Sequence, residues 1–192
     1  AGGKLSKDVI LQYSIDSKNK KRKFIVMYGQ TEATARISYV PFNNAIKKAG
    51  SIGIPIPQGK LYLIDDDGNV IKENGREGEI IYSGNNVSFG YANSQQDLSL
   101  NNQNNGLLKT GDIGYFDNDG YFFVTGRKKR FIKIFGNRIS LDSLESVLNK
   151  KFGNCLATGY DDNLKVFTTK KQNINKIEEF LIFTFGISPR AI

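Results

Sequence analysis

The sequence changes its pattern at Gly126, and this change constrains the fold more than any other feature. Before Gly126, short apolar or alternating segments are separated by turn residues roughly every 8–12 residues, which is typical of strands in a small barrel or sandwich. After it, apolar residues recur at the helical period over residues 141–152. We therefore predict an α+β chain. A strand-rich distorted barrel subdomain occupies 1–126, and a small α+β domain, mobile about a hinge at the glycine, occupies 127–192.

Short apolar and alternating segments predict the elements of the first part. Residues 24–27 (FIVM) predict a buried strand, and KLYLID and VIKE predict a hairpin around an Asp-Gly turn. Further strands are predicted for REGEIIYSG, IGYF and YFFVTG, and the polar residues 93–106 predict a surface loop.

Helix signals distinguish the second part. One helix is predicted between Ser140, which is placed to cap it, and Gly153, and a second is predicted to end at Gly186. Strands are predicted for RFIKIF and RIS around a Gly-Asn turn, and for CLATGY and LKVFTT. The last residues, ISPRAI, predict the start of another strand.

Composition excludes several classes of chemistry. The chain has no histidine, which excludes Ser-His-Asp and Cys-His catalysis and histidine-ligated metals within these residues. Its single cysteine, Cys155, cannot form an intramolecular disulfide, which fits a reducing cytoplasm, and a buried structural thiol is favoured over a nucleophile. No apolar run approaches the roughly 18 residues that a membrane helix needs, so no membrane span is predicted.

The net charge of +8 suggests a polyanionic partner: nucleotide phosphate, coenzyme A or nucleic acid. Part of the charge lies in residues 18–23 and part in residues 127–133. The first run is equally compatible with a solvated loop whose charge is balanced by acidic residues elsewhere in a longer protein.

The segment Tyr28-Gly29-Gln30-Thr31-Glu32 directly follows the first predicted strand. Glycine allows a ligand to approach the backbone, and the adjacent aromatic ring offers a face for a flat base. A hydroxyl and a carboxylate side by side can meet phosphate oxygens and a Mg²⁺ ion. The alternative is an ordinary exit from a strand into a loop.

Two later features carry further polar groups. Asp112, in Lys-Thr-Gly-Asp, could accept hydrogen bonds from the two hydroxyls of a ribose, although Asp after Gly is commonly a turn residue. Arg127, in the basic run after Gly126, is suited to bridging ribose or phosphate oxygens. Basic residues interleaved with Phe131 and Phe135 could instead form a nucleic-acid surface.

Taken in order, these features resemble the superfamily of acyl-CoA synthetases, luciferases and peptide-synthetase adenylation domains. The resemblance rests on Tyr-Gly-Gln-Thr-Glu at 28–32, Gly-Ser-Ile-Gly-Ile-Pro at 50–55, Gly-Glu-Ile at 78–80 with Gly84, Val87 and Gly90-Tyr91, Thr-Gly-Asp at 110–112, and the hinge motif that begins at Gly126-Arg127 and includes Lys129, Ile132-Lys133, Gly136 and Arg138-Ile139. AGGKLS at 1–6 also resembles a loop of this family.

This resemblance implies a two-step ligase. A carboxylic acid reacts with ATP to give an acyl-adenylate and pyrophosphate, the small domain rotates, and a thiol of coenzyme A or of a pantetheine carrier protein displaces AMP. Tyr28 and Gly29 are then expected at the adenine, with Thr31 at phosphate and Glu32 at Mg²⁺. Among the later residues, the implied roles are ribose binding for Asp112, ribose or phosphate binding for Arg127, a hinge for Lys129 and contact with pantetheine for Gly136.

The chain also departs from the family pattern. The family's phosphate loop with its lysine is not found in the sequence, and the pattern with the second lysine would follow Pro189, after which three residues remain. We therefore expect a carboxy-terminal fragment that lacks an amino-terminal part of the same protein and has negligible activity alone. A non-catalytic nucleotide-binding or scaffold module of the same fold is the alternative, and nucleic-acid binding is disfavoured.

Overall fold

A computed structural model describes residues 5–192, so the first four residues of the AGGKLS prediction lie outside the described part. The chain divides into two compact units between Val124 and Thr125. The domain assignment of 1–126 and 127–192 stays a prediction.

The first unit starts with a helix, α1 (Lys7–Asn19), that the sequence did not reveal. The Ser6 hydroxyl caps it by accepting a hydrogen bond from the Val9 amide at 3.3 Å. The buried residues of this helix are Ile10 and Ser14, which do not form an apolar stripe along it. The helical period of apolar residues is therefore absent from this part of the sequence. The first basic run therefore starts inside α1, at Lys18, and continues past the end of the helix at Asn19, so the loop alternative holds only for its later residues.

Short antiparallel strands make up the rest of this unit. They are β1 (Val26–Tyr28), β2 (Ser38–Val40), β3 (Ile54–Pro55), β4 (Lys60–Ile64), β5 (Val70–Ile71), β6 (Gly78–Ser83), β7 (Leu107–Phe116) and β8 (Phe122–Arg127), the last of which continues past Val124. They form a three-stranded sheet, β1-β2-β3, and a five-stranded sheet, β5-β4-β6-β7-β8. Within the described residues these sheets do not close into a barrel.

The larger sheet is organised around one apolar cluster. Leu63 of β4 lies opposite Ile80 of β6, and both pack with Ile71 and Phe122. The predicted hairpin of β4 and β5 is confirmed, as is the strand β6. The strand predicted at 24–27 begins later, at Val26, and the prediction that it is buried is wrong: Met27 is 50% exposed, because alternate side chains of the strand point to opposite faces and Met27 faces solvent.

The second unit contains two helices, two hairpins and its own core. Its elements are β9 (Phe131–Ile134), β10 (Asn137–Ser140), α2 (Leu141–Phe152), β11 (Cys155–Tyr160), β12 (Asn163–Thr168) and α3 (Ile174–Phe185). β9 pairs with β10 and β11 with β12, both antiparallel. The core of this unit lies between its helices and strands and includes Leu144, Leu148, Leu164 and Leu181. The helices and antiparallel strands of the two units confirm the predicted α+β class.

The predicted helix ends in this unit are confirmed. The Ser140 hydroxyl accepts from the Ser143 amide at the start of α2, and Gly153 ends that helix. Gly186 ends α3 in the left-handed conformation. Cys155 is buried, as expected for a structural thiol.

The prediction of a strand at the end of the chain is wrong. Pro189–Ala191 form a short 3₁₀ turn, because the Ser188 side chain caps the turn and Pro fixes a helical φ at its first position. Among the described residues, no helix has the length and apolar character needed to cross a bilayer.

Candidate functional site

The predicted loop after β1 is tightly folded. Gly29 leaves the strand, and Thr31–Ala33 form a 3₁₀ turn. Thr34 and Ala35 then adopt left-handed φ angles of 47° and 68°. A Cβ on Gly29 would lie 2.2 Å from the Ala35 carbonyl oxygen, so glycine is required for the backbone to fold back on itself.

Tyr28, at the end of β1, and Gln30, in the loop, contact a carboxylate that is 84 and 82 positions away in the sequence. The Tyr28 hydroxyl donates a hydrogen bond to Oδ2 of Asp112. The Gln30 side-chain amide donates to the same oxygen at 3.2 Å and to the Thr110 carbonyl at 2.9 Å. Asp112 is only 3% exposed, so this contact closes the inner end of the loop.

Strand β7 presents the carboxylate through its Thr-Gly-Asp sequence. The buried Thr110 hydroxyl donates to the Ile80 carbonyl at 2.8 Å and accepts from the Asp112 amide at 3.1 Å. Gly111 between them has φ +69°, which turns Asp112 out of the regular alternation. The Asp112 side chain is therefore placed by the backbone of β7 and of its neighbour β6.

Thr31 and Glu32 lie at the outer side of the same loop. Thr31 is exposed and Glu32 is half-buried, and the Tyr91 hydroxyl donates a hydrogen bond to Glu32. This bond to a carboxylate raises the pKa of Tyr91. The described residues contain no cluster of three His, Cys, Asp or Glu side chains that could enclose a metal. One carboxylate instead fits Mg²⁺, which commonly keeps one or two protein ligands and takes the others from phosphates and water.

In the second unit the predicted site residues lie in exposed segments: Arg127 is the last residue of β8, and Lys129 lies in the short 3₁₀ turn that follows it. Arg127 and Lys129 are exposed, and the Arg127 amide donates to Asp142 at 3.4 Å. Gly136 lies in the exposed β9–β10 turn with φ +84°. The turn is formed by Phe135 and Gly136, one residue before the predicted Gly-Asn pair, because both have positive φ.

Arg130 holds the basic turn to the rest of this unit. Its guanidinium donates to Asp142 at 2.8 Å and to the Ala157 carbonyl at 3.1 Å. It also pairs with Glu145 at 2.7 Å, and the same Glu145 oxygen accepts from the Ala157 amide. The hydrogen bonds and charges of Glu145 and Asp142 raise the pKa of Arg130. Arg130 thus serves an internal role while its basic neighbours face outward.

The sequence and the structure of this chain were compared with those of known proteins, and both are similar to one family. The family described as "AMP-binding enzyme" matches residues 1–92. The chain is 36% identical over 121 residues to the probable 4-coumarate–CoA ligase 1 of Dictyostelium discoideum, covering 63% of this chain and 22% of that protein. It is 37% identical over 126 residues to indoleacetate–CoA ligase of Aromatoleum aromaticum, covering 66% and 24%.

A solved structure resembles the whole chain. O-succinylbenzoate coenzyme A synthetase from Bacillus subtilis, in complex with AMP, superposes with a TM-score of 0.68 at 26% identity, over 100% of this chain and 40% of that one. This chain belongs to the adenylate-forming superfamily. It spans about a quarter of the length of the curated relatives that it matches.

Within this family fold, the sequence-predicted residues fall into two groups. Tyr28, Gly29, Thr31, Glu32 and Asp112 belong to the first unit, which brings Tyr28 into contact with Asp112. Arg127, Lys129 and Gly136 belong to the second unit. The roles assigned to all eight residues stay predictions.

Sequence reasoning missed Gln30 and also Asn86, whose side-chain amide donates hydrogen bonds to the Ala33 and Arg36 carbonyls of the same loop. Gln30 occupies the variable position of the Tyr-Gly-x-Thr-Glu pattern, so the pattern gave no reason to single it out. Asn86 lies in an Asn-rich turn between Gly84 and Val87 and has no distinctive spacing. A single polar side chain near the end of a strand does not indicate a functional role in the sequence, because its hydrogen-bond partners are known only from the structure.

Proposed function

We propose that this chain is part of an AMP-forming ligase that activates a carboxylic acid with ATP and transfers the acyl group to a thiol. Most of the curated relatives are CoA ligases, which supports coenzyme A over a carrier protein as the acceptor. Several are named for aromatic acids, such as 4-coumarate and indoleacetate, and one is named for oxalate, so an aryl acid is the first substrate class to test. The proposal concerns the whole protein, which we expect to act in the cytoplasm.

The observation that carries the proposal is the convergence of Tyr28 and Gln30 on the Asp112 carboxylate. Residues from two distant segments form one polar group at the base of the loop that also carries Thr31 and Glu32. A phosphoryl-transfer site depends mainly on positioning and charge neutralisation, and such a built constellation can supply both.

The roles follow from chemistry and position. The Tyr28 ring offers an adenine face, the Asp112 carboxylate offers acceptors for ribose hydroxyls, and the exposed Thr31 hydroxyl offers a donor to phosphate. Glu32 would hold Mg²⁺, which when bound neutralises the charge of the nucleotide phosphates. Arg127 would contribute its guanidinium to ribose or phosphate, Lys129 would act at the hinge, and the Gly136 turn would meet the pantetheine thiol.

Exchange of pyrophosphate into ATP tests this proposal. We expect the whole protein to catalyse exchange with one or more aromatic acids, and Glu32→Ala to lower it by at least about 100-fold, since a lost charge contact of several kcal/mol gives such a factor. Glu77→Ala, at an exposed acid of the same unit, is the matched control. Absence of exchange with every acid, together with AMP binding, would favour the non-catalytic module instead.

A further inference from the structure

The Asn86 side chain connects the candidate nucleotide loop to the interior of the first unit. Its amide nitrogen donates to the carbonyl of Ala33 at 2.7 Å and to the carbonyl of Arg36 at 2.8 Å. Its amide oxygen accepts from the hydroxyl of Tyr82 at 2.6 Å. Three directional bonds therefore fix one half-buried amide, which is close to the full capacity of an asparagine side chain.

The far end of this connection is rigid. Tyr82 is fully buried on β6, and a Cβ on either Gly59 or Gly84 would lie within 2.6 Å of its hydroxyl oxygen. Burial raises the pKa of Tyr82, so the hydroxyl stays protonated and remains a donor at ordinary pH. The buried Tyr82 hydroxyl therefore fixes the orientation of the Asn86 amide.

The near end of the connection spans the strained part of the loop. The two carbonyls bound by Asn86 flank Thr34 and Ala35, both of which have left-handed φ angles. Such a conformation costs roughly 1–3 kcal/mol per non-glycine residue and persists where the surroundings impose it. Asn86 supplies that restraint because it ties the two ends of the strained pair to a single side chain.

The same segment also holds the loop next to Glu32. The Ser88 amide donates to the Glu32 carbonyl at 2.7 Å, and the Thr34 hydroxyl donates to the Asn86 carbonyl at 3.2 Å. We propose that Asn86 is a positioning residue that fixes Thr31 and Glu32 in the orientation needed for phosphate and metal. The inference rests on the proposed function, because the orientation of Glu32 matters only if that carboxylate holds an ion.

Asn86→Asp is the sharpest variant, because it keeps the shape and the acceptor for Tyr82 but loses both donors. A carboxylate facing two carbonyl oxygens has a raised pKa, and once protonated it regains one donor. Exchange by Asn86→Asp is therefore expected to be about 10- to 100-fold below wild type at pH 8. The exchange activity of Asn86→Asp relative to wild type should rise as pH falls, while the Tyr82 hydroxyl keeps its proton over that range.

Tyr82→Phe is the matched comparison, since it keeps both bonds from Asn86 to the loop and should lose less exchange than Asn86→Asp. A second readout, amide hydrogen exchange, is independent of catalysis. In Asn86→Asp the amides of residues 33–37 should lose protection, while those of β6 keep it.

The outcomes separate the two claims. Unchanged protection of residues 33–37 in Asn86→Asp, or a loss of activity that is equal at every pH, would overturn the positioning role. A wild-type protein without pyrophosphate exchange overturns the proposed ligase function instead, and the protection data still decide whether Asn86 holds the loop.

Discussion

Gly29 and Gly136 are both candidate site glycines, and the two units use them differently. In the first unit, a Cβ on Gly29 would meet the Ala35 backbone at 2.2 Å, inside a loop closed by Asp112. In the second unit, a Cβ on Gly136 would meet nothing within 4 Å, and its turn is exposed. The first unit presents its site residues from a crowded polar network, and the second presents them from exposed segments at a strand end and in two short turns. Rigid recognition of a nucleotide suits the former, and residues that must change partners during a reaction suit the latter.

The largest effect that would test this contrast is expected from Gly29→Ala. Because the new methyl group would overlap backbone atoms, the loop must open, and we expect a loss of about 3 kcal/mol in the free energy of unfolding. Urea unfolding of the protein measures it. A loss below that of Gly136→Ala would reverse the comparison between the units.

A second prediction concerns the Arg130 cluster. Arg130→Ala leaves Asp142 and Glu145 without their guanidinium partner, and we expect a loss of about 2 kcal/mol, moderated because the arginine side chain is 31% exposed. Reduced amide protection in α2 and β11 would locate the effect. Lys129→Ala, which removes an exposed neighbour, should stay within about 0.5 kcal/mol of wild type. Equal losses for both variants would show that Arg130 has no internal role.

A third prediction uses the ion cluster of the first unit. Lys48 contacts Asp117 and Asp119, each at 2.6 Å. Burial is the largest influence on the pKa of Asp117 and raises it, but the Lys48 hydrogen bond and charge, together with the hydrogen bonds from the Tyr121 and Asp119 amides, lower it by more. The pKa of both carboxyls therefore lies below the ordinary 3.8. The stability from this pairing is present above pH 3.8 and is lost as pH falls through the lowered values.

Lys48→Met is therefore expected to lower the Tm by a few degrees at pH 7, and the difference from wild type should shrink below pH 3.8. Melting curves across pH follow this directly. A difference that stays constant from pH 7 down to pH 2 would show that the lysine contributes by packing, for example over the Tyr121 ring, and not by its charge.

The smallest effect is expected from Gly136→Ala. Alanine fits the space, so the cost is the strain of a positive φ, about 1 kcal/mol. If the turn meets the incoming thiol, this variant should slow thioester formation more than pyrophosphate exchange. Equal slowing of both steps would contradict the role given to the turn.

The sequence predicted those elements whose signals are local. Helix α2 combines a helical apolar period with Ser140 and Gly153 at its ends, and the β4–β5 hairpin combines alternation with an Asp-Gly turn. Helix α1 has end signals at Ser6, Asp8 and Lys18 but no apolar stripe, so the helical period, the main signal used for the other helices, was missing. The prediction of a strand after Gly186 is wrong because Ser188 and Pro189 start a short 3₁₀ turn, and this pair of residues also occurs in extended segments.

The site was predictable to the extent that it depends on motifs. The resemblance identified Tyr28 and Asp112, but their hydrogen bond depends on the sheet that sets β7 beside the loop, which no local pattern encodes. Gln30 and Asn86 act through partners 82 and 50 or more residues away, and only the fold brings these together. Long-range polar contacts are therefore what the structure adds.

The central claim is that the loop after β1 and the Asp112 carboxylate form one site for adenosine phosphate. Titration of the whole protein with AMP, without metal, tests it most directly, with Asp112→Asn compared against Asp66→Asn at an exposed carboxyl of the same unit. We predict that Asp112→Asn weakens AMP binding at least about tenfold, because ribose hydroxyls lose a charged acceptor, and that Asp66→Asn leaves it unchanged. Equal affinity of both variants and wild type would contradict the account.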